Sequence, residues 1–185
     1  MAALSLAGCS DDENGNGGNG GNGGSGEGGN PSGGDLTEIL FEDGTQIGDG
    51  RQEFEIKGDY TLPKGTYLLK GWCYIADGAS LTLAPGTIIK GDKETKAALI
   101  VEPGGQLWAQ SEPIVFPSEM PAGNRRPGDW GGIILCGRGV NNKGTMQIEG
   151  GPRTTHGGSD NADCSGALSY VRCEFAGYPF KEDQE

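Results

Sequence analysis

Tyr74-Ile75-Ala76-Asp77-Gly78-Ala79-Ser80-Leu81 is followed by Pro85-Gly86-Thr87-Ile88-Ile89, and the pattern then recurs. The second copy reads Ile100-Val101-Glu102-Pro103-Gly104-Gly105-Gln106-Leu107, followed by Glu112-Pro113-Ile114-Val115. Ile75 maps to Val101, Gly78 to Gly104, Leu81 to Leu107 and Ile88 to Ile114, an ungapped offset of about 26 residues. A fixed period of roughly 20–50 residues marks stacked structural repeats. Each copy holds short apolar runs separated by Gly and Pro, which suits one coil of a β-solenoid. Strands one period apart run parallel, and parallel pairing needs a crossover of a dozen or more residues. The remainder of the coil supplies that crossover without a helix. The expected fold is all-β, a right-handed parallel β-helix of about four coils, since parallel connections are nearly always right-handed. The alternative is an antiparallel β-sandwich or jelly roll, which uses similar strands and turns but does not require the repeat.

Outward from this stretch, the rhythm starts near Asp59 with Tyr60-Thr61-Leu62, Thr66-Tyr67-Leu68-Leu69 and Trp72-Cys73-Tyr74-Ile75. It resumes after 117–129, a polar Pro/Gly-rich loop, with the apolar strand at 130–136 and Met146-Gln147-Ile148. A second long loop covers 150–165. The segment 166–175 alternates from Leu168 onward, with Val171, Cys173 and Phe175 on one face and Tyr170, Arg172 and Glu174 on the other. It reads as one half-buried strand. Before the coils, residues 35–58 read as an entry or cap segment, with an amphipathic turn at 36–41 and a short strand at Phe54-Glu55-Ile56.

Composition bounds the function. Of 185 residues, 37 are glycine, and the tract at 15–34 is little but Gly and Asn. It has nothing apolar to bury and is expected to be a disordered tether. The net charge of −12, from 26 acidic and 14 basic residues, repels phosphate backbones and argues against nucleic-acid binding. No apolar run approaches the 18 residues or so that a spanning helix needs. The first nine residues end in Leu6-Ala7-Gly8-Cys9, which resembles the lipobox of a bacterial lipoprotein signal peptide and makes Cys9 the expected lipidation site. The acidic Ser10-Asp11-Asp12-Glu13 that follows resembles a surface-export signal. The resulting organisation is a signal-peptide remnant at 1–9, a linker at 10–34, the entry segment at 35–58 and the β-helix at 59–185.

Several stretches resemble one family of Bacteroidetes lipoproteins. They are Leu69-Lys70-Gly71, Leu81-Thr82-Leu83-Ala84-Pro85-Gly86-Thr87-Ile88-Ile89-Lys90-Gly91, Pro113-Ile114-Val115-Phe116, Gly128-Asp129-Trp130-Gly131-Gly132, Ile148-Glu149-Gly150-Gly151 and Tyr170-Val171-Arg172. The resemblance spans about Leu68 to Phe180. It implies a β-helix lipoprotein of the outer membrane, exposed at the cell surface and anchored by its N-terminal lipid. It carries over no catalytic residue. Relatives continue with further coils, so the chain is expected to be an N-terminal fragment or a truncated product. The family setting also suggests an outer-membrane transporter as partner.

Candidate chemistry is sparse. Cys73, Cys136, Cys164 and Cys173 lack CxxC spacing and have one histidine for company, so no zinc site is expected. Mostly free, buried thiols fit their apolar settings, and Cys136 with Cys173 is the candidate pair for a disulfide. His156 shares one Gly-rich loop with Ser159, Asp160, Asp163 and Ser165, which gives no triad signature. Asp160, Asn161 and Asp163 offer hard oxygens to calcium, but no known calcium-loop spacing is present. No cofactor is expected. Arg125, Arg126, Asp129 and Trp130 mark the candidate ligand-binding loop, and Trp108 and Trp130 are candidates to stack on sugar rings. The expected role is non-catalytic surface binding or scaffolding. The alternative is a β-helix enzyme acting on acidic polysaccharide, with Arg125, Arg126 and Asp129 near its cleft.

Overall fold

Aliphatic and β-branched runs of three or four residues, cut by Gly and Pro, favour strands and are too short for helices. The computed structural model describes residues 44–179, and every regular element among them is a β-strand. The expectations for Cys9, for 10–13, for the tract at 15–34, for the turn at 36–41 and for Phe180 lie outside the described residues.

The chain winds through three parallel sheets in turn. The first coil holds β1 (Gln46–Ile47), β2 (Phe54–Ile56) and β3 (Asp59–Leu62), so the entry segment contributes two of its strands. The second holds β4 (Thr66–Leu69), β5 (Trp72–Ile75) and β6 (Ser80–Leu83); the third holds β7 (Ile88–Gly91), β8 (Ala98–Val101) and β9 (Gln106–Ala109). The fourth holds β10 (Ile114–Phe116), β11 (Gly132–Leu135) and β14 (Gly166–Leu168), and β15 (Val171–Cys173) begins the next. The first sheet runs β1-β4-β7-β10-β15, the second β2-β5-β8-β11 and the third β3-β6-β9-β14. A two-stranded antiparallel hairpin, β12 (Met146–Gln147) with β13 (Thr155–His156), sits in the insertion between β11 and β14. This is a parallel β-helix.

Register decides the core. Ile75 pairs with Val101 and Leu81 with Leu107, as the repeat requires. Phe54, Cys73, Leu99 and Ile133 stack in one inward column of the second sheet, and Ile56, Ile75, Val101 and Leu135 in the next. Gly78 donates to the Gly104 carbonyl at 3.0 Å, with both residues at positive φ. A Cβ at Gly104 would meet only the movable ends of the Asp77 and Arg138 side chains, so it is the φ of 91° that favours glycine at this stacked corner.

Three sequence expectations are corrected. Ile88 pairs with Val115 rather than Ile114. The turn before β10 holds one extra residue, accommodated at Ser111 with φ 84°, and this keeps Ile89 and Phe116 both inward. An Ile88–Ile114 register would have set an outward residue on an inward one. Second, 166–175 is not one strand. The chain turns at Tyr170, φ 57°, so β14 and β15 belong to different sheets. Third, Cys136 and Cys173 are free thiols, because one follows β11 in the second sheet while the other lies on β15 in the first. The buried Cys73 thiol is also free.

Trp130 replaces a missing strand side chain. Gly91 pairs with Leu69 on the inward side, and a Cβ at Gly91 would clash with the Trp130 indole. The indole stacks on Phe116 with ring centroids 6.5 Å apart and donates its N–H to the Glu174 carbonyl at 2.9 Å.

Leu107 is fully buried between Leu81 and Gly166. Leu107→Ala is expected to cost about 2–5 kcal/mol through the cavity it leaves, measured by urea unfolding.

Candidate functional site

The loop at 117–130 is built around a buried carboxylate. Asp129 is 1% exposed. Its carboxylate accepts from Ser118 Oγ at 2.7 Å and the Arg126 N–H at 3.0 Å, and it pairs with Lys93 Nζ at 2.9 Å. Burial pushes its pKa up, but Lys93, the Arg126 amide and Ser118 outweigh that and hold it below the ordinary carboxylate value. Arg125 donates to the Met120 carbonyl at 2.8 Å and lies 6.0 Å over the Phe175 ring. Arg126 is exposed, and its guanidinium bonds the Gly123 and Arg125 carbonyls. Of the four residues singled out here, Asp129 and Trp130 form the buried base of the corner. The two arginines close the loop on itself.

Side chains of the second long loop bond the backbone of the insertion that follows β11. Asp163 accepts from the Arg138 N–H at 2.7 Å, Asn161 from the Val140 N–H at 3.0 Å and Asp160 from the Ala162 N–H at 2.9 Å. These oxygens face backbone donors from different points of the insertion. His156 Nδ1 accepts from the Gly137 N–H at 3.2 Å, and Ser165 Oγ donates to the Cys136 carbonyl at 3.1 Å. The structure therefore does not bring Ser, His and Asp into a relay.

The outward face of the second sheet carries Glu55, Trp72, Tyr74, Ala98, Ile100 and Ile134. Tyr74, Ala98 and Ile100 have 0% exposure although they point away from the coil interior. The insertion lies over Trp72 and Tyr74. Pro152 and Thr154 are buried, Gly151 lies against the Trp72 ring, and the Arg153 guanidinium sits 4.3 Å over the Tyr74 ring. Arg153 makes a forked pair with Glu102 at 3.1 and 3.2 Å, pairs with Glu55 and reaches Glu53 at 3.6 Å. Tyr74 Oη donates to Glu53 at 3.1 Å. Desolvation opposes the Arg153 charge, but Glu102 and Glu55 more than compensate and raise its pKa. Burial pushes the Tyr74 phenol up to about 12. No sequence motif announces this cluster, because its members lie up to 100 residues apart, from Glu53 to Arg153.

The outward face of the third sheet is of another kind. Asp59, Ser80 and Gln106 form one register row, and Thr61, Thr82, Trp108 and Ala167 form the next. Asp59 and Thr61 are exposed and the others are half-buried. Strand spacing sets successive side chains in each row about 4.8 Å apart. The result is a flat, hydroxyl-bearing surface with one indole. Trp108, a sugar-stacking candidate from the sequence, stands half-buried on this face, and its row companions follow only once the register is known.

A family model described as a pectate-lyase like beta helix domain matches residues 54–185. Neither a curated protein nor a solved structure matches the chain.

Asp129→Ala is expected to cost about 1.5–3 kcal/mol, the range for a hydrogen bond to a charged group, whereas exposed Arg126→Ala should stay within about 1 kcal/mol. Chemical unfolding of both variants checks the difference. Because the Asp129 pKa is lowered on folding, its contribution is complete above the unfolded value of 3.8 and disappears as pH falls through the lower folded value. The wild-type stability gap over Asp129→Ala should close on that acid limb.

Proposed function

The chain belongs to the pectate-lyase-like β-helix family, and on that premise we propose that it is a non-catalytic, glycan-binding protein of the cell envelope. The observation that carries this reading is the outward face of the third sheet, where Trp108 lies in register with Thr61 and Thr82. An indole covers the apolar face of a pyranose, and hydroxyl and amide groups bond its rim. The family's description supports a polysaccharide as the ligand. The net charge of −12 favours a neutral polymer over an anionic one. In the same proposal Cys9 carries the lipid, and the protein faces outward from the outer membrane beside a transporter.

The family description also favours a second reading, an enzyme that cleaves acidic polysaccharide. General acid–base catalysis needs groups within hydrogen-bond reach of one substrate. Against this reading, Asp129 is buried in a salt bridge, and Arg125 and Arg126 bond loop carbonyls.

Calorimetry against a panel of neutral and acidic polysaccharides, with a reducing-end assay in parallel, tests the reading. Wild type should bind a neutral polymer, Trp108→Ala should weaken binding about tenfold by losing the stacked ring, and no new reducing ends should appear. Robust cleavage lost on Arg126→Ala would overturn the proposal in favour of the enzyme. For the anchor, protein expressed from its native start should enter the detergent phase of a detergent–water split, and Cys9→Ala the aqueous phase. Aqueous partition of both removes the lipid from the proposal.

A further inference from the structure

We propose that the insertion at 137–164 is a strap that opens as a unit from the second sheet, locked shut by Arg153 among Glu53, Glu55 and Glu102. Its backbone–backbone hydrogen bonds run internally. Gly157 donates to Gly137, Gly158 to Gly139, Asp160 to Arg138 and Ile148 to Thr154, and β12 pairs with β13. Its ties to the coil run through side chains: the Arg153 cluster, the Arg153 N–H on Tyr74 Oη at 3.4 Å, Gln106 Nε2 on the Cys164 carbonyl at 3.3 Å, and Arg138 paired with Asp77 at 2.6 Å. The coil's own sheets are complete beneath it, since β5 and β8 are paired on both sides within the second sheet. Opening therefore breaks no inter-coil backbone bond. It uncovers Trp72 and Tyr74 of the aromatic and aliphatic cluster they form with Ala98, Ile100 and Ile134.

The charged groups around the lock come from every neighbouring element. Glu53 precedes β2, Glu55 lies on it and is shared with Lys57, Tyr74 is on β5, and Glu102 follows β8. The side chain of Arg153 is 38% exposed, so salt reaches the pairs and screens them. Acid acts differently. Lys57 first, then Arg153, hold the Glu55 pKa below its ordinary value against desolvation. Its share of the lock is complete at neutral pH and fails only as pH falls through that lowered value. Across the near-neutral range ionic strength is the effective lever.

Hydrogen exchange of the full chain, read by peptide mass spectrometry, tests the strap. In Glu55→Gln/Glu102→Gln, peptides covering 146–156 should exchange roughly 5–30 times faster, while those of β6 and β9 keep the wild-type rate. About 1 M NaCl, where the Debye length is about 3 Å, should accelerate the same peptides in wild type and add little in the variant. In a Trp108→Phe background, acrylamide quenching of Trp72 should rise in parallel, because Trp130 stays buried. Equal acceleration of coil and insertion, or an unchanged 146–156 in both the variant and high salt, overturns the proposal. If the double variant does not fold, the salt arm on wild type decides by the same criteria.

Discussion

Inter-coil register is the constraint on which the rest of this molecule depends. A β-strand sends alternate side chains to opposite faces, so one hydrogen-bond register fixes which residues of every coil enter the core. The coils differ widely in length: the step is 22 residues from Thr66 to Ile88, 26 from Trp72 to Ala98, 34 from Ala98 to Gly132 and 57 from Ile114 to Val171. Each increase is taken up at a corner, and parity within the sheets survives. Ser111 shows how small the tolerance is. One additional turn residue would have inverted β10, and the register moves by one to return Phe116 to the interior.

This explains what could be read in advance. The strands of the second and third coils were legible because apolar parity and Gly/Pro corners coincide, as in Leu81, Leu83, Pro85 and Gly86. The Ile88 pairing was not, since Ile114 and Val115 are both apolar and composition cannot say which faces inward. Alternation from 168 to 175 continued across a corner because parity carries no information about the positive φ at Tyr170. Trp130 looked like a loop aromatic. Its burial depends on Gly91, a residue 39 positions earlier that leaves the indole its space. The Arg153 cluster was invisible for the same reason: Glu55 and Glu102 meet only after two coils have been stacked.

An acidic chain has few cations with which to hold long insertions, and their placement is informative. Lys93 reaches from the turn before β8 to Asp129 in the next coil's loop, Arg138 reaches back to Asp77, and Arg153 gathers Glu53 and Glu55 at β2 with Glu102 just after β8. Glu53, Glu55 and Glu102 would repel one another if left together, so the guanidinium both relieves that repulsion and fixes the insertion. Exposed ion pairs are individually weak, at about 0.2–1 kcal/mol, and a fork into several carboxylates exceeds a single pair. The attachment is consequently strong enough to define a position and weaker than the hydrogen-bonded coil.

The outward faces follow from this difference. A coil must complete its backbone bonds with the coils on either side, which leaves its exterior surfaces free to diverge. On the second sheet the exterior is apolar and aromatic, and left in water it would favour association; the insertion lies over its Trp72 and Tyr74. On the third sheet the exterior is Thr, Ser, Gln and Asp around Trp108, a composition that tolerates water and needs no cover. Since the same strand order and inward columns serve both sheets, the fold alone cannot distinguish them. The distinction lies in outward residues that core packing does not select.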